Sequence, residues 1–406
     1  MIVAVYSMPA MPRSAARLLL VLLGLLLGIL PIELGLRLAG PNVPLDLTMA
    51  RFQVFHPVYG FFHKPGVSGW LRTDEFTSYV KFNSRGLRGP EVAIPKPADT
   101  FRVLVLGDSV VEGAQVAYEE TLAARLAPTL AGVAGGRRVE TVNAGVAGFG
   151  TGQELLFLER EGLAYGPDLV VLVFTIANDV ADNSIEVARR AKLAVDRRPY
   201  FAVGPDGRPT PLPFEAPPPE PFEGARGFVR DRSALFTTLE LWLEGKEVAR
   251  AQGSAVPRLQ TEREVYLREL GDDWPQGWEI TEALLGRVDE VARGAGAPLV
   301  VVLSPTQWQT YDDLWSDKEF MGTSSQNERR FGPTAPNERL AAIAERRGLG
   351  LVDLLPHFRV EAEAGRLPIF RRDGHWTSLG HEVATRAVAD AVRTRVLATL
   401  PPTAGR

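Results

Sequence analysis

The feature that most constrains the fold of this chain is a repeated alternation of short apolar stretches with amphipathic helical segments. The clearest stretch, residues 168–175, consists almost entirely of apolar side chains, most of them Val and Leu. A strand that is apolar on both faces is typical of a sheet covered on both sides. Strands that alternate with helices pair in parallel, so the sequence predicts a parallel, doubly wound sheet.

Five strands and five helices follow this alternation. The predicted strands are residues 102–106, 139–143, 168–175, 298–304 and 350–353. The predicted helices are residues 119–131, which Pro128 could kink or end early, and residues 153–162, 280–294, 337–347 and 381–399. Together they predict the α/β class, as a three-layer αβα sandwich with a five-stranded parallel sheet over residues 98–398.

Two segments depart from the alternation. Residues 41–97 contain many turn residues and short aromatic stretches, which predict a linker followed by an N-terminal extension packed on the main domain. Residues 181–275 combine a Pro- and Gly-rich stretch, 205–221, with charged helical segments at 233–253 and 261–270. Because this segment lacks a sizeable apolar core, we predict an insertion and not an independent domain.

The N-terminus carries the most apolar part of the chain. Arg13 and Arg17 precede the uncharged residues 18–32, and Glu33 and Arg37 follow them. The uncharged run is shorter than the about 20 residues that cross a bilayer. A spanning helix therefore needs the flanking residues as well, and it places Glu33 near the interface.

A cleaved signal peptide has the same outline as a membrane anchor. A cut after Ala39 would make Arg37 the third residue before the cleavage site, where a small residue is preferred. We therefore favour an uncleaved transmembrane anchor within residues 1–40 over a cleaved signal. With arginines ahead of the apolar run, we expect a cytoplasmic N-terminus and a catalytic domain on the extracytoplasmic side, periplasmic or extracellular.

Composition excludes several classes of function. The chain has no cysteine, so disulfides, thiolate metal sites and a cysteine nucleophile are impossible. Its five histidines include no His-Glu-x-x-His run, which argues against a histidine-rich metal centre. With a formal net charge of -4 and no long basic run, it lacks the electrostatic pattern of a nucleic-acid binder. The sequence leaves the oligomeric state open.

Polar motifs stand where predicted strands end. Ser109 directly follows the first strand, residues 143–150 follow the second, and Asn178 follows the third. Asp373 and His375 precede the last helix. In an open parallel sheet ligands bind at the carboxyl ends of the strands. A serine there becomes nucleophilic when a histidine takes its proton and a carboxylate orients that histidine, which predicts Ser109, His375 and Asp373 as catalytic residues.

These motifs resemble the four sequence blocks of the SGNH (GDSL-type) hydrolase superfamily. The blocks are Gly107-Asp108-Ser109-Val110, Asn143-Ala144-Gly145-Val146-Ala147-Gly148, Ala177-Asn178-Asp179 and Asp373-Gly374-His375. The resemblance covers about residues 98–398, interrupted by the insertion, and implies a flavodoxin-like version of the predicted sandwich. Any one block is weak evidence, whereas four in order at strand ends are specific.

The resemblance implies a role for each block. Ser109 would attack the ester carbonyl, with His375 as general base and then acid, and with Asp373 orienting the imidazole. The backbone N–H groups of Ser109 and Gly148 and the side-chain amide of Asn178 would hold the oxyanion. Each fixed hydrogen-bond donor at that position lowers the activation free energy by about 2.7–4 kcal/mol. Such a mechanism needs no metal and no organic cofactor.

Two departures from the family pattern bear on the reaction. Val110 stands where leucine is common, and one residue separates Asp373 from His375 where two are common. The shorter Asp-x-His-Trp form resembles the branch that includes polysaccharide O-acetyltransferases of the bacterial envelope. We expect a serine esterase that deacylates an O-acetylated or short-acyl envelope glycan or lipid. The alternative is an O-acetyltransferase with the same site.

Rivals from other classes remain. An inactive glycan-binding protein could keep the fold without turnover. A flavodoxin-like nucleotide binder ranks last, because Asp108 puts a carboxylate where a phosphate would bind.

Several candidate residues also have structural explanations. Ser109 alone could cap a helix, and Asp108 is expected to be a hydrogen-bond partner and not a catalyst. Trp376 could line a sugar or acyl pocket, although tryptophan more often packs in a core. Arg85 could bind an anionic substrate, although surface ion pairing is the simpler explanation. His381 is expected to face solvent on the closing helix.

Overall fold

The computed structural model describes residues 13–39, 52–132, 134–191, 193, 195–215, 223–230, 232–236, 238–239, 243, 263–317 and 327–395. Contacts divide the chain into a smaller unit, Met1–Asp46 with Pro219–Ala249, and a larger unit, Leu47–Pro218 with Arg250–Arg406. Parts of six predictions lie outside the described residues: the start of the N-terminal region 1–40, the start of the linker, the end of the Pro-rich stretch, most of the helical segment 233–253, the first two residues of the segment 261–270 and the end of the last helix.

The strands of the described residues are β1 (Gln53–His56), β2 (Gly60–His63), β3 (Ser68–Arg72), β4 (Thr77–Lys81), β5 (Thr100–Gly107), β6 (Arg138–Gly145), β7 (Leu169–Thr175), β8 (Phe201–Val203), β9 (Pro209–Pro211), β10 (Leu299–Ser304) and β11 (Gly350–Asp353). The α-helices are α1 (Arg13–Ala39), α2 (Ser109–Glu112), α3 (Leu122–Leu130), α4 (Thr151–Arg160), α5 (Asp179–Asn183), α6 (Ile185–Arg190), α7 (Glu223–Arg230), α8 (Trp274–Gly294), α9 (Gln307–Thr310), α10 (Asp312–Trp315), α11 (Asn327–Arg330), α12 (Ala335–Arg347), α13 (Leu355–Glu363) and α14 (Ser378–Arg395). Three short 3-10 helices are Tyr118–Glu120, Gly162–Tyr165 and Val195–Arg197.

The larger unit is organised around one five-stranded sheet in the order β11-β10-β7-β5-β6, with every neighbouring pair parallel. This arrangement confirms the predicted α/β sandwich with a five-stranded parallel sheet. Each strand boundary lies within two residues of its predicted position. The helix α13 was not predicted, and Pro128 lies inside α3, which ends two residues later.

Alternate side chains of each strand enter different cores, which makes the sandwich three layers thick. Leu104 and Leu106 pack on one side with side chains of α4, α8 and α12. Val103 and Val105 pack on the other side with side chains of α3, α13 and α14. Since both faces are covered, every residue of β5, β7 and β10 is buried.

The segment before the sheet folds as two antiparallel hairpins. β1 pairs with β2, and β3 pairs with β4. The inner face of the second hairpin contributes Leu71 and Val80 to a small core with Phe52, Phe82 and Ala114. Because Ala114 follows α2, this core joins the extension to the strand-to-helix turn after β5.

The smaller unit contains α1, which is long and apolar enough to cross a membrane by length and composition. A signal sequence would pass the same test. Its leucines are exposed, for example Leu20 at 66% and Leu27 at 63%. Residues 234–236, 238–239 and 243 of the same unit are also helical.

Close packing of β6 on α2 requires glycine at position 145. A Cβ atom on Gly145 would overlap the backbone N of Glu112 and the backbone C of Val111. Since neither backbone atom can rotate away, we expect Gly145→Ala to lower the free energy of unfolding by about 1–3 kcal/mol. Urea unfolding followed by circular dichroism measures the change.

Gly294→Ala is the matched control. A Cβ atom there meets nothing within 4 Å, at the end of α8. We expect no loss of stability, and at most a gain of about 0.5–1 kcal/mol from helix propensity. An unfolding midpoint of Gly145→Ala equal to that of the unmutated chain would refute the described contact.

Candidate active site

The sheet has one point where its strand order reverses, between β5 and β7. From β5 the chain continues to β6 on one side, and from β7 to β10 and β11 on the other. Such switch points leave a crevice beyond the carboxyl ends of the two strands. Ser109 follows β5 and Asn178 follows β7, so two of the predicted site residues meet this crevice.

Asp108, and not Ser109, caps the short helix after β5. The Asp108 carboxylate accepts a hydrogen bond from the backbone N–H of Val110, with the N and Oδ1 atoms 2.8 Å apart. It also accepts from the hydroxyl of Thr175 across the crevice at 3.1 Å. This agrees with the structural role expected for Asp108. The Ser109 hydroxyl is therefore not needed for capping.

The Ser109 hydroxyl is engaged by the predicted histidine. Ser109 Oγ lies 2.7 Å from His375 Nε2, and His375 Nδ1 lies 2.7 Å from Asp373 Oδ1. The side chains of His375 and Asp373 are 26% and 21% exposed, so the chain of hydrogen bonds is open to solvent. With the proton on Nδ1, the imidazole donates to Asp373 and can accept the hydroxyl proton of Ser109.

The electrostatics around His375 favour a base. Burial lowers the pKa of the imidazole, but the hydrogen bond and charge of Asp373 and the charges of Asp108 and Glu112 raise it by more. The net pKa of His375 is raised above its ordinary value. A more basic imidazole takes a hydroxyl proton more readily.

The predicted oxyanion donors lie on the two flanking loops. Asn178 Nδ2 donates to Asp182 Oδ2 at 3.1 Å and, more weakly, to Asp179 Oδ1 at 3.4 Å. Gly148 has a φ of 84°, in the left-handed region that favours glycine. Among the hydrogen bonds of the described residues, none uses the backbone N–H of Ser109 or of Gly148.

Comparison with known protein families agrees with this geometry. A family model described as "SGNH hydrolase-like domain, acetyltransferase AlgX" matches residues 268–405. The matched residues include Asp373 and His375. Ser109, which follows β5, lies outside the match. Over the matched residues the chain is similar to an SGNH hydrolase-like domain.

Solved structures are similar to the chain at low identity. LAE5, described as an alpha/beta hydrolase enzyme from the metagenome of Lake Arreo, Spain, is 13% identical over 72% of this chain and 94% of that chain, with a TM-score of 0.37. Axe2, an acetylxylan esterase from Geobacillus stearothermophilus, is 14% identical over 72% and 94%, with a TM-score of 0.36. TesA is 15% identical over 72% and 98%, with a TM-score of 0.35. No curated protein matches the sequence.

The candidate site has supports that the sequence motifs did not indicate. Glu112, in the turn of helix after Ser109, accepts a hydrogen bond from the backbone N–H of Ala147 at 2.7 Å. The same oxygen lies 3.0 Å from Nε2 of His63, which comes from β2. Both side chains are fully buried. Glu112 thereby ties the loop of Gly148 to the helix of Ser109.

A second support holds the loop that carries Asp373. Glu75, at the turn between β3 and β4, accepts from the backbone N–H of Arg372 at 3.1 Å and of Asp373 at 2.7 Å. The rings of Phe76 and Phe370 lie 5.4 Å apart beside these contacts. The N-terminal extension therefore contacts the loops on both sides of Ser109. Glu75 and His63 lie in no sequence motif. Of these three supports, Glu112 alone had a sequence signal, its position three residues after Ser109.

Three buried carboxyl groups lie behind the site. Burial raises the pKa of Asp108, of Glu154 and of Asp179, and the negative charges of Asp108 and Glu154 add to the effect at Asp179. Asp179 accepts the backbone N–H of Thr175 at 2.7 Å, which fixes the end of β7. Within the described residues, no group of three or more His, Asp or Glu side chains is arranged to hold a metal ion.

Two predictions about the last block are wrong. Trp376 is 1% exposed and packs against Phe358 in the core, so its ring does not line a substrate pocket. His381 is also 1% exposed and does not face solvent, because α14 packs against α3. Its Nδ1 accepts the backbone N–H of Leu122 at 3.1 Å, and burial, followed by the charges of Arg88 and Arg125, lowers its pKa to about 3.

Arg85 lies at the surface. It is exposed, and its charge helps to lower the pKa of Glu91, after hydrogen bonds from Ser84. Among the described residues, no hydrogen bond joins its side chain to Ser109 or His375. A contact between Arg85 and substrate stays a prediction. The neighbouring Arg88 is instead buried, and its Nη1 donates to the carbonyl of Glu112 at 2.7 Å.

The buried position of Trp376 gives a test that separates packing from substrate binding. Trp376→Ala removes a large side chain from the core, so we expect the free energy of unfolding to fall by about 3–5 kcal/mol. Trp70→Ala is the control, because Trp70 is 43% exposed and its loss should change stability by at most about 0.5 kcal/mol. Chemical unfolding of both variants makes the comparison. Unchanged stability of Trp376→Ala would contradict its place in the core.

Proposed function

We propose that this chain is a serine-dependent enzyme that acts on acyl esters through an acyl-serine intermediate. The observation that carries the proposal is the continuous hydrogen-bond chain from Ser109 through His375 to Asp373, with both distances 2.7 Å. The place of this hydrogen-bond chain at the switch point of a parallel sheet supports the same reaction class, and so does the match of residues 268–405 to an SGNH hydrolase-like domain.

In the first half of the reaction, His375 Nε2 takes the proton of Ser109 as Oγ attacks the ester carbonyl. The new C–O bond gives a tetrahedral intermediate with its negative charge on the former carbonyl oxygen. The backbone N–H groups of Ser109 and Gly148 and one N–H of Asn178 would donate to that oxygen. Collapse expels the alcohol, which takes the proton from His375 and leaves the acyl group on Ser109.

In the second half, His375 takes a proton from the acceptor that attacks the acyl-serine. With water as acceptor the products are a carboxylic acid and free Ser109, which is hydrolysis. With a sugar hydroxyl as acceptor the product is a new ester, which is acyl transfer. Our first proposal is an esterase that deacylates an O-acetylated or short-acyl envelope glycan or lipid.

The second candidate is a polysaccharide O-acetyltransferase. It is favoured by the description of the matching family model as an acetyltransferase domain, and by the Asp373-Gly374-His375-Trp376 form of the last block. Both candidates use the same side chains, so the acceptor that reaches the acyl-serine decides between them.

We further propose that α1 anchors the chain in a membrane, with the N-terminus in the cytoplasm. The length and apolar character of α1 support an anchor. Arg13 and Arg17 at its start support the orientation by the excess of positive charge on cytoplasmic segments. The proposed enzyme would then work on the extracytoplasmic side.

The decisive experiment measures acetate release from p-nitrophenyl acetate by the full chain in detergent. We expect Ser109→Ala and His375→Ala each to lower kcat by about 10³-fold or more, because the members of such a unit act together. Ser316→Ala and His357→Ala are the controls, since both residues are exposed and lie outside the hydrogen-bond chain. Equal turnover by all four variants would refute the mechanism.

An acetylated glycan product in the presence of an added glycan acceptor would identify the transferase. If the unmutated chain is inert and a serine-directed phosphonate forms no adduct on Ser109, the inactive glycan-binding protein becomes the better explanation.

The raised pKa of His375 predicts the pH dependence of this turnover. The base must be neutral, so kcat/KM should rise with pH and its midpoint should lie above the ordinary histidine pKa of about 6.5. Asp373→Asn removes the charge that raises the pKa, so the midpoint should move to lower pH while the rate falls by up to about 10⁴-fold. A pH–rate profile of both proteins measures the shift. A midpoint unmoved by Asp373→Asn would exclude Asp373 as the partner of His375.

A further inference from the structure

In the smaller unit, Glu33 of α1 binds the start of a helical segment of the insertion. Its carboxylate accepts hydrogen bonds from Ser233 Oγ at 3.0 Å, from the backbone N–H of Ala234 at 2.8 Å and from that of Leu235 at 2.9 Å. The first N–H groups of a helix have no partner within the helix. Glu33 supplies that partner, and its negative charge complements the positive end of the helix dipole.

Arg37 completes this junction. Its Nε donates to Glu33 Oε1 at 2.7 Å, and its Nη2 donates to the carbonyl of Arg232 at 2.5 Å. The charged groups that follow the apolar run of α1 are therefore satisfied by each other and by the backbone at 232–235. These contacts tie residues 232–235 of the insertion to α1.

The segment beside this junction exposes large apolar side chains. Phe228 is 60% exposed and Val229 is 40% exposed, while Leu239 and Leu243 are 51% and 50% exposed. Leu239 and Leu243 are both in helical conformation. The guanidinium of Arg232 lies 3.9 Å from the centre of the Phe228 ring. An aromatic ring with an arginine beside it is typical of a membrane interface, where the ring is buried and the charge reaches water.

The position of Glu33 along α1 matches the thickness of a bilayer. About 20 residues separate Arg13 from Glu33, and a helix of that length rises about 30 Å, which is the thickness of the hydrocarbon core. With Arg13 at the cytoplasmic surface, Glu33 reaches the opposite interface. The helical segment that Glu33 caps begins at the same depth.

We propose that the exposed apolar side chains of Phe228, Val229, Leu239 and Leu243 lie in the outer interface of the membrane, as a second contact beside α1. The inference rests on the proposed anchoring by α1 and goes beyond it by giving the insertion a partner, the lipid bilayer. Glu33 joins residues 233–235, which lie between these two pairs of side chains, to α1. If lipid covers the exposed leucines of α1, it is also the medium nearest to these four side chains.

The absence of cysteine from the chain permits a clean test with single introduced cysteines. Leu239→Cys probes the proposed contact, Leu26→Cys probes the anchor, and Val360→Cys on α13 is the control, since Val360 is 61% exposed in the larger unit. Each full-length variant carries an environment-sensitive fluorophore and is reconstituted into phosphatidylcholine vesicles with or without spin-labelled lipid. We expect lipid quenching of at least twofold at positions 26 and 239 and none at 360.

The outcomes separate this inference from the proposed anchor. Quenching at position 26 without quenching at 239 overturns the inference and leaves the anchor intact. No quenching at 26 overturns the anchor and the inference with it. A label at 239 protected from both spin-labelled lipid and aqueous iodide is covered by protein, which also overturns the inference.

Variants of Glu33 test the junction in the same vesicles. Glu33→Ala removes the acceptor oxygens, so quenching at position 239 should fall toward the value at 360 while quenching at 26 persists. Glu33→Gln keeps one acceptor oxygen and should restore most of the quenching. Unchanged quenching at 239 in Glu33→Ala would show that the junction does not place the segment.

Discussion

Burial of the parallel sheet on both faces is the constraint on which the rest of this structure depends. Every residue of β5 and β7 is inaccessible, so polar chemistry can begin only where these strands end. The reversal of strand order between them opens a crevice at that edge. Ser109 and Asn178 are among the polar residues that the chain places there. The same fold that removes most of the sheet from water thus concentrates the reactive groups at one edge.

Three of the carboxyl groups at the floor of this crevice accept hydrogen bonds from the backbone. Asp108 accepts from Val110, Asp179 from Thr175, and Glu112 from Ala147. Burying such groups is costly unless strong hydrogen bonds compensate. Here each bond also fixes a loop that carries a site residue. The hydrogen bonds that offset the burial of these carboxyl groups therefore also hold the proposed oxyanion donors in place.

The segments outside the sandwich have distinct structural roles. The hairpins before the sheet contact the site through Glu75 and His63, so the N-terminal extension takes part in the site more directly than a linker would. Part of the insertion belongs to the unit of α1 and meets it at Glu33. The first segment supports the proposed chemistry, and the second supports the proposed place of the enzyme at a membrane.

The sequence by itself determined the five strands, most of the flanking helices and the residues Ser109, Asp373 and His375. Apolar periodicity and short motifs are local properties, and strand ends collect at one edge in any parallel sheet. It misplaced His381 because the buried face of α14 is set by its packing against α3. It misplaced Trp376 because the ring packs against Phe358 of α13. It gave no indication of Glu75 or His63, which reach the site from a hairpin far away in sequence. Only the tertiary structure decided those contacts, since they depend on which distant segments pack together.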